Sequence, residues 1–176
     1  MRRLRTAWLA LVALLALPPQ VGSQDTAGGN LSAVTRRGML VLGGWAIGNI
    51  VVGTSAAFVA EDPAWQSFWA TTAGWNVVNL GLAAGGLLSP TRPVPADDLS
   101  AAHHRLEKIL LFNAGLDVGY MALGAWAWDR GSSGSGLGNL EPDQLAGLGQ
   151  AVLIQGAFLL VFDIVLARAV AADRKR

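Results

Sequence analysis

The sequence predicts an all-α integral membrane protein, an up-down four-helix bundle preceded by a short apolar signal-like segment. Three observations carry that fold class. The 176 residues are 52% hydrophobic and 14% charged, where a soluble domain intersperses about 25% charged residues along its length. The charges cluster at the edges of long uncharged runs. One membrane-length run, Leu106 to Trp128, nevertheless carries Asn113, Asp117 and Tyr120 at spacings of four and three, which puts them on one narrow helical face that Gly124 continues. A carboxylate at bilayer depth costs roughly 2.5 to 3.5 kcal/mol, so Asp117 is expected to face protein or water rather than lipid.

Residues 1–23 combine Arg2, Arg3 and Arg5 with an apolar run from Ala7 to Leu17, a Pro-Pro break and small or branched residues at Val21 and Ser23. That is the pattern of a secretory signal, with an uncleaved anchor as the other reading. Residues 24–37 read as a polar lead-in. The first membrane helix is expected over 38–60, free of charge and long enough for a core of about 30 Å at about 1.5 Å per residue. Glu61, Asp62 and Pro63 form a tight turn, so the second helix, 65–88, is its antiparallel neighbour. Ser89 to Ala102, with its prolines and aspartates, reads as a loop, and Ser100 as a cap for the entry turn of the third helix, 106–128. Asp129 to Asp143 is rich in glycine and serine and reads as a mobile connection. The fourth helix, 144–170, ends in a basic tail, 171–176. Trp65, Trp69, Trp126 and Trp128 suit the headgroup level. A faint internal repeat sets Asn49 four residues after Trp45 and Asn79 four after Trp75.

Composition excludes several functions. A formal net charge of +1 carries no nucleic-acid signature. The absence of cysteine removes disulfides, thiolate zinc sites, iron–sulfur clusters and c-type haem attachment. The two histidines, His103 and His104, precede the third apolar run and do not suit a haem at membrane depth. Grouped with Glu107 they make a weak metal set, short of three or four ligands with a fixed second shell, and read as an exposed interfacial turn. No nucleophile, zinc-protease, phosphate or dinucleotide motif occurs. No catalytic residue, metal or cofactor is therefore assigned.

Two constellations remain. Gly44 and Gly48, Gly81 and Gly85, and Gly115 and Gly119 are small-xxx-small pairs, expected to let neighbouring helices approach closely. Asn49, Asn76, Asn79, Asn113, Asp117, Tyr120, Gln150, Gln155 and Asp163 are the polar residues at membrane depth. Unpaired amides and carboxyls are costly there, so a connected hydrogen-bonded network is expected. Asp163 lies near Arg168 and is expected to reach the interface by snorkelling or local water.

The strings GMLVLGGWAIGN, AGWNVVNLG, LEKILLFNAGLDVGY and GQAVLIQGAFLLVFD resemble a domain-of-unknown-function family of small four-helix bacterial membrane proteins, over residues 38–170. The resemblance implies a multi-pass domain in the inner membrane and no activity, ligand or catalytic residue. The expected function is a non-enzymatic structural or partner-binding membrane protein in contact with the lipid bilayer, its oligomeric state open. The alternative is binding or permeation of a proton, cation or small polar solute through the polar interior. A water-accessible chamber lined by Asn79, Asn113 and Asp117 would favour the alternative. Orientation is contested. A cleaved signal puts most arginines and lysines outside, whereas the positive-inside bias favours a cytoplasmic C-terminus.

Overall fold

The computed structural model describes residues 27–89 and 94–174. The signal-like segment 1–23 lies outside them. The described residues form four helices: α1 Ala27–Val59, α2 Pro63–Leu88, α3 Ala96–Ser132 and α4 Pro142–Asp173. The side-chain contacts fix their directions. Gly53 packs on Trp69 and Ala73, Gly43 on Ala83, and Gly86 on Met39, so α1 and α2 run antiparallel. Gly131 packs on Pro142 and Ala146, Gly124 on Gly149 and Leu153, and Gly156 on Asp117 and Met121, so α3 and α4 do too. These are the two hairpins that the connections predict.

The helix ends differ from the expected ones for identifiable reasons. Helix α1 starts inside the stretch read as a polar lead-in, because Leu31 is buried and Val34 packs on a core shared with Ala167 and Val170 of α4. The Thr35 hydroxyl donates to Leu31 O at 2.9 Å within it. Helix α3 begins at Ala96, directly after Pro95, with Asp97 and Asp98 in its first turn, where carboxylates complement the helix dipole. Ser100 is thus inside the helix rather than its cap. The glycine- and serine-rich connection is short and structured. Leu137 and Leu140 exchange backbone hydrogen bonds of 3.0 Å, and Gly134 and Gly138 take φ of 78° and 61°, the left-handed region that glycine adopts without cost. At the α1–α2 turn, Asp62 Oδ1 accepts from Ala64 N at 2.8 Å and Trp65 N at 3.1 Å, an N-cap ahead of Pro63.

Three helices are long and apolar enough to cross a membrane: Leu31–Val59, Asp97–Ser132 and Pro142–Asp173. The expectation of four is met for three. Helix α2 holds no charge over its 26 residues, but its tryptophans, asparagines and threonines lower its hydropathy. The surface is apolar, with Phe58 exposed at 85%, Phe112 at 68% and Leu123 at 61%.

The glycine pairs expected to pack the helices do not do so. Among the described residues, a Cβ added at Gly44, Gly48, Gly81, Gly85, Gly115 or Gly119 would meet nothing within 4 Å. The reason is the choice of inward face. On α2 it is Phe68, Thr72, Asn76, Asn79 and Ala83 that are buried, which turns Gly81 and Gly85 outward. On α3 it is Leu110, Ala114, Asp117 and Ala127, which does the same to Gly115 and Gly119. Close approach is made instead by glycines on the inward face. A Cβ at Gly147 would strike the Ala64 carbonyl, one at Gly149 the Trp128 amide, and one at Gly124 would come within 2.7 Å of Leu153 N. Gly124→Ala and Gly149→Ala are each expected to destabilise the bundle by about 1–3 kcal/mol through overpacking. Gly115→Ala should leave stability unchanged or raise it, since alanine gains about 1 kcal/mol in helix propensity. Denaturation of the three variants in detergent, followed by helical circular dichroism, checks this. Equal losses in all three would contradict the assignment of packing faces.

Candidate functional site: a carboxyl-lined cleft

The interior is polar where the surface is not. Thr72, Asn76, Asn79, Asp117, Gln155 and Asp163 are all buried, and they divide into an amide cluster and a carboxyl pair.

The amide cluster ties α1 and α2 to α4. Gln155 Oε1 accepts from the Trp45 indole N–H at 3.2 Å and from Asn76 Nδ2 at 3.0 Å. Asn76 Nδ2 also donates to Thr72 O at 2.8 Å, and Asn79 Nδ2 donates to Asn76 Oδ1 at 3.3 Å. An indole nitrogen can only donate, so Trp45 sets the direction of every amide in the chain of bonds. Its donor demands the Gln155 oxygen, which takes the Asn76 amino group, which turns the Asn76 oxygen to Asn79. The Asn79 oxygen is thereby the end left over. Trp45 is itself held by a parallel stack on Phe158, 3.9 Å between centroids at 6°.

The carboxyl pair lies between α3 and α4. Asp117 and Asp163 are 3% and 6% exposed. Among the described residues no hydrogen-bond donor reaches Asp117 Oδ2, which is buried. Both acids line a cavity of about 500 Å³. It forms because no Cα of α2 comes within 8 Å of a Cα of α3 among the described residues. Val78 and Leu82 of α2 and Ile109 and Leu116 of α3 line it while remaining exposed, so its mouth opens sideways between these two helices. Side chains from α4, Leu159 and Phe162, form its back, and Met39 and Leu42 reach it from α1. Trp75 and Tyr120 bridge the gap edge to face, 5.1 Å between centroids at 87°. The wall is thus mostly apolar, with Asn79, Asn113, Asp117, Tyr120 and Asp163 as its polar groups. Asn79, Asn113 and Asp117 thus line one chamber.

The structure brings the remaining predicted residues together only in part. Asn49 bonds back to Trp45 O at 2.8 Å, outside the amide cluster. Gln150 is half-buried and makes none of the cluster's bonds. Asp163 faces Asp117 rather than the interface near Arg168, because its side of α4 packs on α3. His103 is not on an exposed turn: it is 2% exposed, its Nδ1 lies 2.8 Å from Leu99 O, and its Nε2 lies 3.0 Å from Asp173 Oδ2. The early start of α3 carries it against the last turn of α4. Beside it, Arg174 Nη1 donates to His104 Nδ1 at 2.6 Å and to Glu107 Oε2 at 3.2 Å. No cluster of three or more metal-ligating residues occurs among the described residues. Sequence reasoning missed Trp45, whose indole partner Gln155 lies 110 positions away, and Thr72, whose Oγ1 is buried without a partner among the described residues.

Residues 41–164 match the model of a family of unknown function, DUF6992, a span that takes in Trp45, the amide cluster and both carboxyls. No curated protein and no solved structure matches the chain.

The amide cluster makes a stability prediction. Gln155→Leu strands the Trp45 and Asn76 donors at once, and each buried unsatisfied group costs about 1–3 kcal/mol. Trp45→Phe removes one donor and leaves Gln155 still bonded to Asn76. Unfolding free energies should therefore fall further for Gln155→Leu than for Trp45→Phe, a ranking that the reverse order would refute.

Proposed function

This chain belongs to DUF6992, a family of unknown function, and from that premise we propose that it is a non-enzymatic, multi-pass membrane protein whose cleft between α2 and α3 binds a small ligand with an apolar body and a polar end. The membrane reading is supported by the three apolar helices and by the apolar outer surface over a polar interior. Helix α2 completes the set at 26 uncharged residues, long enough at about 1.5 Å per residue. Lipid then surrounds the bundle, and the mouth of the cavity opens toward acyl chains.

The observation that carries the binding reading is the cavity itself. Its volume of about 500 Å³ is in the range of small-molecule sites, which pair an apolar lining with a few convergent polar groups. The two polar clusters have separate roles. The amide cluster is paired within the protein and holds helix register, as buried interhelical hydrogen bonds do at about 0.6 kcal/mol each. The carboxyl pair is turned to the cavity, where buried ionisable groups mark binding or transport sites. The sideways mouth favours binding from the bilayer over permeation across it.

Photolabelling with an eight-carbon diazirine alcohol, on the full chain in phosphatidylcholine nanodiscs, tests this. Adducts should concentrate on cavity residues such as Leu110 and Phe162. Leu82→Trp, which fills the mouth, should remove most of them. Adducts spread evenly over the outward residues of all helices, unaffected by Leu82→Trp, would contradict the reading.

A further inference from the structure

We infer that the cleft selects an organic ammonium ion, an amine cation with an apolar body seated with its N–H groups on Asp117, Asp163 and the Asn79 oxygen. The inference rests on the binding reading above and adds the charge of the ligand. The polar groups of the wall ask for a donor. Asp117 Oδ2 is buried and receives no donor from the described residues. Asn79 presents its oxygen, because its amino group is committed to Asn76 and the direction of that bond is set by Trp45. Asp163 adds a second carboxyl beside the first. Asn113 and Tyr120 can donate or accept.

Nothing in the wall neutralises the acids. The lining residues include no lysine, arginine or histidine, and Tyr120 is the one other titratable group among them. Buried charges are ordinarily paired or hydrogen-bonded, and among the described residues of the wall no side chain brings these carboxyls a positive charge; the inference assigns that charge to the ligand. An ammonium supplies both the charge and the N–H donor that Asp117 Oδ2 lacks, with a further N–H for the Asn79 oxygen. The rest of the wall, from Leu106 and Leu110 to Leu159 and Phe162, is apolar and takes a hydrocarbon body. The rings of Trp75 and Tyr120 add faces to which a cation is attracted. An anion of the same size meets the carboxyls with like charge and is rejected.

The test uses the full chain in phosphatidylcholine nanodiscs, with n-octylammonium, n-octanol and octanoate as competitors of the diazirine photolabel and empty nanodiscs as the blank. In the wild type, octylammonium should displace the label at a concentration about tenfold or more below that of octanol, the ratio expected when a neutral hydrogen bond becomes a charge-assisted one. Octanoate should be the weakest of the three. Asp117→Asn and Asp163→Asn should each collapse the ratio of amine to alcohol. Equal displacement by octylammonium and octanol in the wild type would overturn the inference and leave the cavity standing. A preference for the amine that survives both variants would overturn its assignment to the carboxyl pair. Absence of cavity-specific labelling would sink the binding reading, and this inference with it. The wild-type ratio needs no variant, so a variant that fails to fold does not remove the test.

Discussion

The structure depends on one constraint: among the described residues no Cα of α2 comes within 8 Å of a Cα of α3, while both helices pack on α4. Glycines on α4 make that arrangement possible. Gly149 and Gly156 bring α3 onto one side, against Gly124, Trp128 and Asp117, while Gly147 brings the start of α2 onto another, against Ala64. Ser67 Oγ donates to Gln144 O at 2.7 Å at the same end. With both neighbours seated on α4, the space between them stays open except where Trp75 meets Tyr120. The cavity is a consequence of packing geometry rather than of missing side-chain volume, since its walls carry leucine, phenylalanine and methionine throughout.

The same constraint divides the polar residues. Where α1, α2 and α4 converge, Trp45, Asn76, Asn79 and Gln155 reach one another through hydrogen bonds. Where α3 faces the gap, Asp117 has Asp163 beside it and open space in front. In a low-dielectric interior an unsatisfied polar group costs more than a satisfied one contributes. The amide cluster therefore serves stability, and the carboxyl pair is a liability that structure alone does not explain.

Much of this was legible in the sequence. Helix number and pairing followed from uncharged runs of membrane length and from the Glu61-Asp62-Pro63 turn. The spacing of Asn113, Asp117, Tyr120 and Gly124 marked the face of α3 that fronts the cleft, with Asp117 and Gly124 inward and Tyr120 at the rim, 38% exposed. The glycine pairs misled because the motif gives the spacing of a groove but not the direction in which it faces. That direction was set by the larger residues on the opposite side of each helix. His103 was misplaced because its partner, Asp173, lies 70 positions away, a pairing that no local pattern encodes. The partnership of Asp117 with Asp163 was hidden for the same reason, and Asp163 was drawn in sequence toward Arg168, a nearer but outward-facing charge.

Asp117 and Asp163 are buried and line one cleft with no cation among its described lining residues, and two carboxylates so placed repel each other, so the account expects the pair to hold a proton. Infrared difference spectroscopy of the protein in bilayers, wild type against the Asp117→Asn/Asp163→Asn double variant, in ordinary and deuterated water, addresses it most directly. The account predicts a protonated-carboxyl C=O band in the wild type that shifts on deuteration and vanishes in the double variant. A difference spectrum holding only carboxylate bands, with no deuterium-sensitive carboxyl band lost, would contradict it.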